Sequence, residues 1–259
     1  MLSRIAAEWD RNAVHRCEQL SRGLDFSHDR VLLPLILRLA GDLTGKNIVD
    51  AGCGCGFLTA AAARKASSAV GVDVSRQMIL QASQRFGGQR NLRFEVRSVE
   101  RFAKVWDSCF DICLANMSVM VMPRLERALA SMRIILRPGG RLVFSIGHPC
   151  IWNTFRRDEA VESFDYWRSH PVVAPFRITL DHRALPVPTT YFHRPLSKYV
   201  SSLIQAGFEI EAIEEPKAPK DSPPEYIRKF VYPRFVVFSA VAKYKLLNGR
   251  SPEIPNGLS

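Results

Sequence analysis

The stretch NIVDAGCGCGFLT, residues 47–59, runs from a short apolar segment to an acid, Asp50, and then sets glycines at 52, 54 and 56 with cysteines between them. An apolar run followed by glycines and then by FLTAAAARKA, rich in helix formers, predicts a strand, a tight turn and a helix. Glycines at such a turn allow unusual dihedrals and let a ligand approach the backbone closely. The residues that follow supply a second clue. AVGVDV reads as another strand, and its Asp73 lies 23 positions after Asp50. An acid at about that spacing can accept both hydroxyls of a ribose, so the expected ligand contains a nucleoside.

The same alternation continues outward. SRQMILQASQRF places Met78, Ile79, Ala82 and Phe86 near one helical face. LRFEVRS and DICLAN read as strands, RLERALASMRIIL as a helix closed by Pro138 and Gly139, and RLVFSIG as a further strand. Strands separated by helices imply crossover units, a largely parallel sheet, and ligands at the carboxyl ends of its strands. Near the end, RPLSKYVSSLIQAGFEIEAIEEP predicts a helix, a glycine stop and a strand, and PRFVVFSAVAKY a last strand. The loop lacks the dinucleotide spacing of glycines and the GK[ST] ending of a phosphate-binding loop, which argues against a pyrophosphate cradle.

Together, VDAGCGCG, VGVDVSRQMI, FDICLANMSVM and LRPGGRLVFSI resemble the class I methyltransferases that use S-adenosylmethionine, especially those acting on small molecules; the match covers about residues 45–147. The resemblance implies a doubly wound α/β fold of Rossmann-like type, with seven mostly parallel strands, the last antiparallel, plus helical and lid additions. By position it places Asp50, Gly52, Gly54 and Gly56 along the methionine part of the cofactor. Asp73 would take the ribose hydroxyls, and Met78 would lie near the adenine or in the core. The family often has an aspartate after the third strand, where this chain has Ser98, so the Ser98 hydroxyl or the backbone around Val99 would serve the adenine. Asn116, ending the fourth strand, falls where the family's chain turns toward cofactor and substrate, although an Asx turn would also suit it.

The organisation expected is a helical cap over 1–44, a cofactor-binding core over 45–147, a substrate-covering insertion over 148–194, a helix and strand pair over 195–245, and a flexible tail over 246–259. The insertion is rich in aromatics, and long connections of this kind often form lids or binding surfaces. Trp152, Tyr191 and Arg194 are its candidate substrate contacts, in a pocket expected to take a small molecule of anionic or partly aromatic character. His148 and His193 are the candidate bases, because imidazole exchanges protons near neutrality; His15, His28, His170 and His182 have weaker positional support. Oxygen is the expected acceptor, with carbon or nitrogen of a small molecule, an RNA or protein substrate, and a non-catalytic binding protein as alternatives.

The chain has 259 residues, 47% hydrophobic, enough for a full core. The formal charge of +11 is spread among acids rather than clustered, as in a solvated surface, and nucleic acid is not the expected partner. The apolar VLLPLILRLA falls short of a membrane span, and the start MLSRIAAEWDRN carries charges where a secretory leader is apolar. A cytoplasmic protein with its six cysteines reduced is the resulting expectation. Cys53 and Cys55 are then small side chains in a crowded loop, and no metal is expected.

Overall fold

A computed structural model describes residues 1–151, 165–180 and 183–243. Strands β1 (Asn47–Ala51), β2 (Ser68–Asp73), β3 (Leu92–Val96), β4 (Phe110–Asn116), β5 (Leu136–Gly147), β8 (Phe208–Glu214) and β9 (Phe235–Ala242) form one sheet in the order β3-β2-β1-β4-β5-β9-β8. Pairing is parallel from β3 to β5, and β9 lies antiparallel between β5 and β8. This is the mixed α/β sheet expected, with the final hairpin at one edge.

The alternation of side chains along each strand decides which helices it meets. Ile48, Ile112, Leu114, Val143 and Val237 point to one face, where they pack with α2 (Leu33–Ala40) and α3 (Phe57–Ala63). Val49, Cys113, Leu142, Phe144 and Phe238 point to the other, against α5 (Val99–Phe102), α6 (Leu125–Ile135) and α7 (Leu196–Gln205). Phe144 and Phe238 stack across β5 and β9 with centroids 4.8 Å apart. Helix α4 (Arg76–Phe86) starts at Ser75, whose hydroxyl accepts from Met78 N at 3.1 Å, so the serine in VDVS is its N-cap.

Three features depart from the sequence reading. Strand β5 begins at Leu136, so Pro138 and Gly139 lie within it and do not form a separate stop. The irregular register between Phe110 and Ile112 accommodates them, and β9 pairs only from Arg141 onward, where no proline N–H is missed. The segment read as one long loop contains β6 (His170–Ala174) and β7 (Thr189–His193), paired antiparallel. Third, Cys17 and Cys55 form a disulfide with Cα atoms 5.7 Å apart, which corrects the expectation of reduced thiols and of Cys55 as mere filler.

That disulfide ties helix α1 (Leu2–Ser21) to the glycine loop. Other contacts of α1 are polar and specific. Buried Glu8 accepts from Thr190 N and Oγ1, both at 2.8 Å, and Asn12 pairs with both backbone groups of Val187 at 3.0 Å. On its other side, Asp10 accepts from Ser75 Oγ at 2.6 Å and from Gln77 N at 2.9 Å. Among the described residues, no helix is long and apolar enough to cross a membrane.

Candidate functional site

A cavity of ≈ 240 Å³ opens at the carboxyl ends of β1, β2, β3 and β4 and runs beneath α1 toward β7 and the start of β9. Its sheet side is polar. Asp73 Oδ2 accepts from Gly54 N at 3.0 Å and Oδ1 from Ser75 N at 2.8 Å, so this carboxylate shapes the glycine loop that faces it. Asp50 lies deeper and is 1% exposed; its Oδ2 accepts from Thr59 Oγ1 at 2.7 Å, while Oδ1 has no hydrogen-bond partner. Burial, opposed by Thr59 and reinforced by the charge of Asp73, pushes the Asp50 carboxyl up to about 7. Burial also raises Asp73, against the backbone N–H groups that hydrogen-bond to it.

The three glycines divide their work. Gly52 and Gly54 line the cavity. Gly54 has φ +51, and a Cβ on it would meet nothing within 4 Å, so the space beside it is the cavity itself. Gly56 is not on the lining: a Cβ there would fall 2.6 Å from the Phe94 ring, so this glycine is required by packing of α3 against β3. Met78 reaches the lining from a buried cluster with Ala13, Cys17 and Cys55, and its sulfur lies 3.5 Å from Cys55 Sγ. Ser98 and Val99 line the end beyond β3, where Ser98 also caps α5. Asn116 lines the floor with its Oδ1 accepting from Ser145 Oγ at 2.6 Å. Met117, next in the chain, takes φ 54, uncommon for a non-glycine residue, and turns the backbone into the cavity wall.

The far part of the cavity is mostly apolar. Ile5 and Trp9 of α1 face Phe176, Ile178 and Tyr191, and Trp9 meets Phe176 edge-on at 5.9 Å. Tyr191 thus lies on the lining; Trp152 lies outside the described residues.

The structure does not bring His148, His193 or Arg194 to the lining. His148 has both ring nitrogens engaged, Nε2 with Glu215 Oε1 at 2.7 Å and Nδ1 with Cys150 N at 3.3 Å. His193 turns toward the β6 side, where Nε2 donates to Tyr166 O at 2.8 Å, and burial lowers its basicity. Arg194 is buried with its guanidinium 4.8 Å from the Phe192 ring centroid, and its Nη2 donates to Met122 O at 2.6 Å. It braces the loop that forms the cavity floor. Adjacency to a strand end places each of these residues near the cleft, but the hydrogen bonds each makes with other parts of the chain decide where its side chain points.

Among the described residues, the histidine that reaches the cavity is His28, 7% exposed, in a π-helical segment over Ser27–Leu32. Such segments recur at functional sites, and Pro34 just beyond it cannot donate to the preceding turn. Asp25 Oδ1 accepts from His28 N at 3.1 Å, and Asp25 Oδ2 pairs with Arg16 at 2.6 Å. Burial pushes the Asp25 carboxyl up, but Arg16, His28 and these hydrogen bonds outweigh it and hold the group below the usual carboxylate range. Nearby, Ser27 Oγ links Thr179 Oγ1 at 2.7 Å and Tyr226 OH at 2.9 Å. The chain here reads DFSHDR directly before the apolar VLLPLIL, a stretch with no recognised motif.

A family model described as a methyltransferase domain matches residues 49–144. An uncharacterized protein of Haemophilus influenzae is 27% identical over 197 residues, 71% of this chain and 75% of the relative. A malonyl-[acyl-carrier protein] O-methyltransferase of Pectobacterium atrosepticum is 30% identical over 110 residues, so the match spans 42% of this chain and 42% of that relative. Among solved structures, an S-adenosylmethionine dependent methyltransferase from Mesorhizobium loti shares the fold with a TM-score of 0.62 at 22% identity, covering 80% of this chain and 96% of that one.

Proposed function

We propose that this chain, which belongs to the class I S-adenosylmethionine-dependent methyltransferases, methylates a small, partly apolar molecule at oxygen. One observation carries the reading: a single cavity joins an acid-and-glycine cradle at the strand ends to a mostly apolar chamber under α1, so two different ligands can meet inside it. The O-methyltransferase among its relatives supports oxygen as the acceptor.

The residues present fit the cofactor. The open space beside Gly54 admits close approach of a ligand to the loop backbone. The unpartnered Oδ1 of Asp50 offers an acceptor to an ammonium group, and Asp73 offers charged acceptors to ribose hydroxyls. Met78, Ser98 and Val99 supply the wall for the base, and Asn116 the floor beside it. S-adenosylmethionine, when bound, supplies a methyl group already activated by its sulfonium charge. The protein's part is to align the acceptor, exclude water and receive a proton where the acceptor carries one. Helix α1, residues 176–179, Thr189 and Tyr191 serve as the cover, and the charge of Arg177 at the rim suits an anionic group on the acceptor.

Asp50 makes the binding of cofactor dependent on pH. Its carboxyl is raised from 3.8 to about 7, so below that pH the ligand-free protein holds a proton there. An ammonium group seated against it favours the carboxylate, and the proton leaves. Calorimetry of S-adenosylhomocysteine binding in buffers of different ionisation enthalpy is expected to detect release of nearly one proton per site at about pH 6, and almost none at about pH 8.5; Asp50→Asn removes the release. The sign for stability follows from the same shift. Between 3.8 and about 7 the folded chain holds a proton that the unfolded chain has lost, so this group makes folding less favourable as pH rises through that window.

The reading is tested by incubating the protein with labelled S-adenosylmethionine and a deproteinised metabolite extract, with products resolved by mass. Methyl transfer to one or a few small molecules, at an oxygen, is the expected result. A parallel incubation with total RNA and protein in which label enters only those fractions, with retention on RNA at physiological salt, would overturn it.

A further inference from the structure

We propose that His28 is the general base of the methyl transfer, held in its working tautomer by Asp29; this rests on the reading of the site as an oxygen methyltransferase. Three observations converge on it. Its Nδ1 lies 2.8 Å from Asp29 Oδ1, and a carboxylate can only accept, so Nδ1 carries the hydrogen. Nε2 is then the unprotonated nitrogen, and no described residue hydrogen-bonds to it. The ring is nearly buried and lines the cavity, and Nε2 is not fully buried.

The surroundings favour this role. Phe57, 6.3 Å away and edge-on to the imidazole, fixes one side of the ring. The charged and titratable groups about it are Asp25 and Asp29 on its own turn, Arg16 of α1 paired to Asp25, and Tyr226 and Arg234 from the carboxyl-terminal part of the chain. The pairing of Asp25 with Arg16 leaves Asp29 as the orienting partner. By contrast, His148 and His193 each commit Nε2 to another group of the protein.

The balance of the step is simple. The acceptor oxygen forms a bond to the methyl carbon while the carbon–sulfur bond of the sulfonium breaks, its electron pair remaining on sulfur. The O–H pair stays on oxygen and its proton passes to Nε2. The resulting imidazolium donates through Nδ1 to Asp29, then returns its proton to solvent at the cavity mouth.

The test uses the full chain, wild type and His28→Gln, with the metabolite extract as acceptor source and imidazole nitrogens followed by NMR. Wild-type protein is expected to show His28, identified by loss of its signal in the variant, as the Nδ1–H tautomer. His28→Gln is expected to lose about a hundredfold or more in transfer rate and the acid limb of the pH profile, while S-adenosylhomocysteine affinity stays within about threefold. Asp29→Asn, a positioning change, is expected to mix the tautomers and lower the rate about tenfold. An active wild type with an equally active His28→Gln overturns the assignment and spares the proposed function. A ring in the Nε2–H tautomer overturns the assignment whatever the rates. A wild type that methylates nothing in the extract overturns both.

Discussion

Asp73→Ala is expected to weaken S-adenosylhomocysteine binding by about a hundredfold or more, with little change in melting temperature. Charge-assisted hydrogen bonds contribute about 1.5–3 kcal/mol each, so loss of two ribose contacts costs at least about 3 kcal/mol, and every 1.4 kcal/mol is about tenfold in affinity. A second effect works in the same direction. Asp73 also accepts from Gly54 N at 3.0 Å, so its removal frees the loop that faces the ligand. Asp73→Asn keeps one carbonyl oxygen and is expected to lose only about tenfold. Unchanged affinity by calorimetry in the folded Asp73→Ala protein would show that the ligand does not use this carboxylate.

Cys17→Ser is expected to lower stability on the order of 4 kcal/mol, because the Cys17–Cys55 bond closes a loop with a sequence separation of 38. For a chain of this size that corresponds to a fall in melting temperature of roughly 10 °C. Position 17 is preferable to 55 for the test because it leaves the glycine loop intact. A reductant should reproduce the shift in the wild type and have no effect on the variant; equal melting temperatures for oxidised and reduced wild type would sink the prediction. The polar clamps from Glu8, Asn12 and Asp10 remain in the variant, so α1 is expected to stay docked in the folded state.

How much of the site was legible depended on where each residue gets its geometry. Asp50, Gly52, Gly54 and Asp73 lie within one strand–turn–helix and the end of the next strand, so local pattern alone brought them together. The histidines did not share that advantage. His148 follows a strand whose end faces the cleft, but its ring pairs with Glu215, 67 positions away, which no local pattern reports. His28 precedes an apolar helix with no motif around it, and only the packing of α1, the glycine loop and residues 176–179 makes it part of a cavity.

The sequence by itself determined the sheet and its winding, because the strand and helix periods, the glycine turn and the spacing to Asp73 are local properties that one chain segment can specify alone. The tertiary structure decided what covers the sheet. The Cys17–Cys55 bond, the clamp of Glu8 and Asn12 on residues 187–190, and the pairing of β6 with β7 all join segments far apart in the chain. Their partners are chosen by burial and by the need of each buried polar group for a match, which depends on the whole fold.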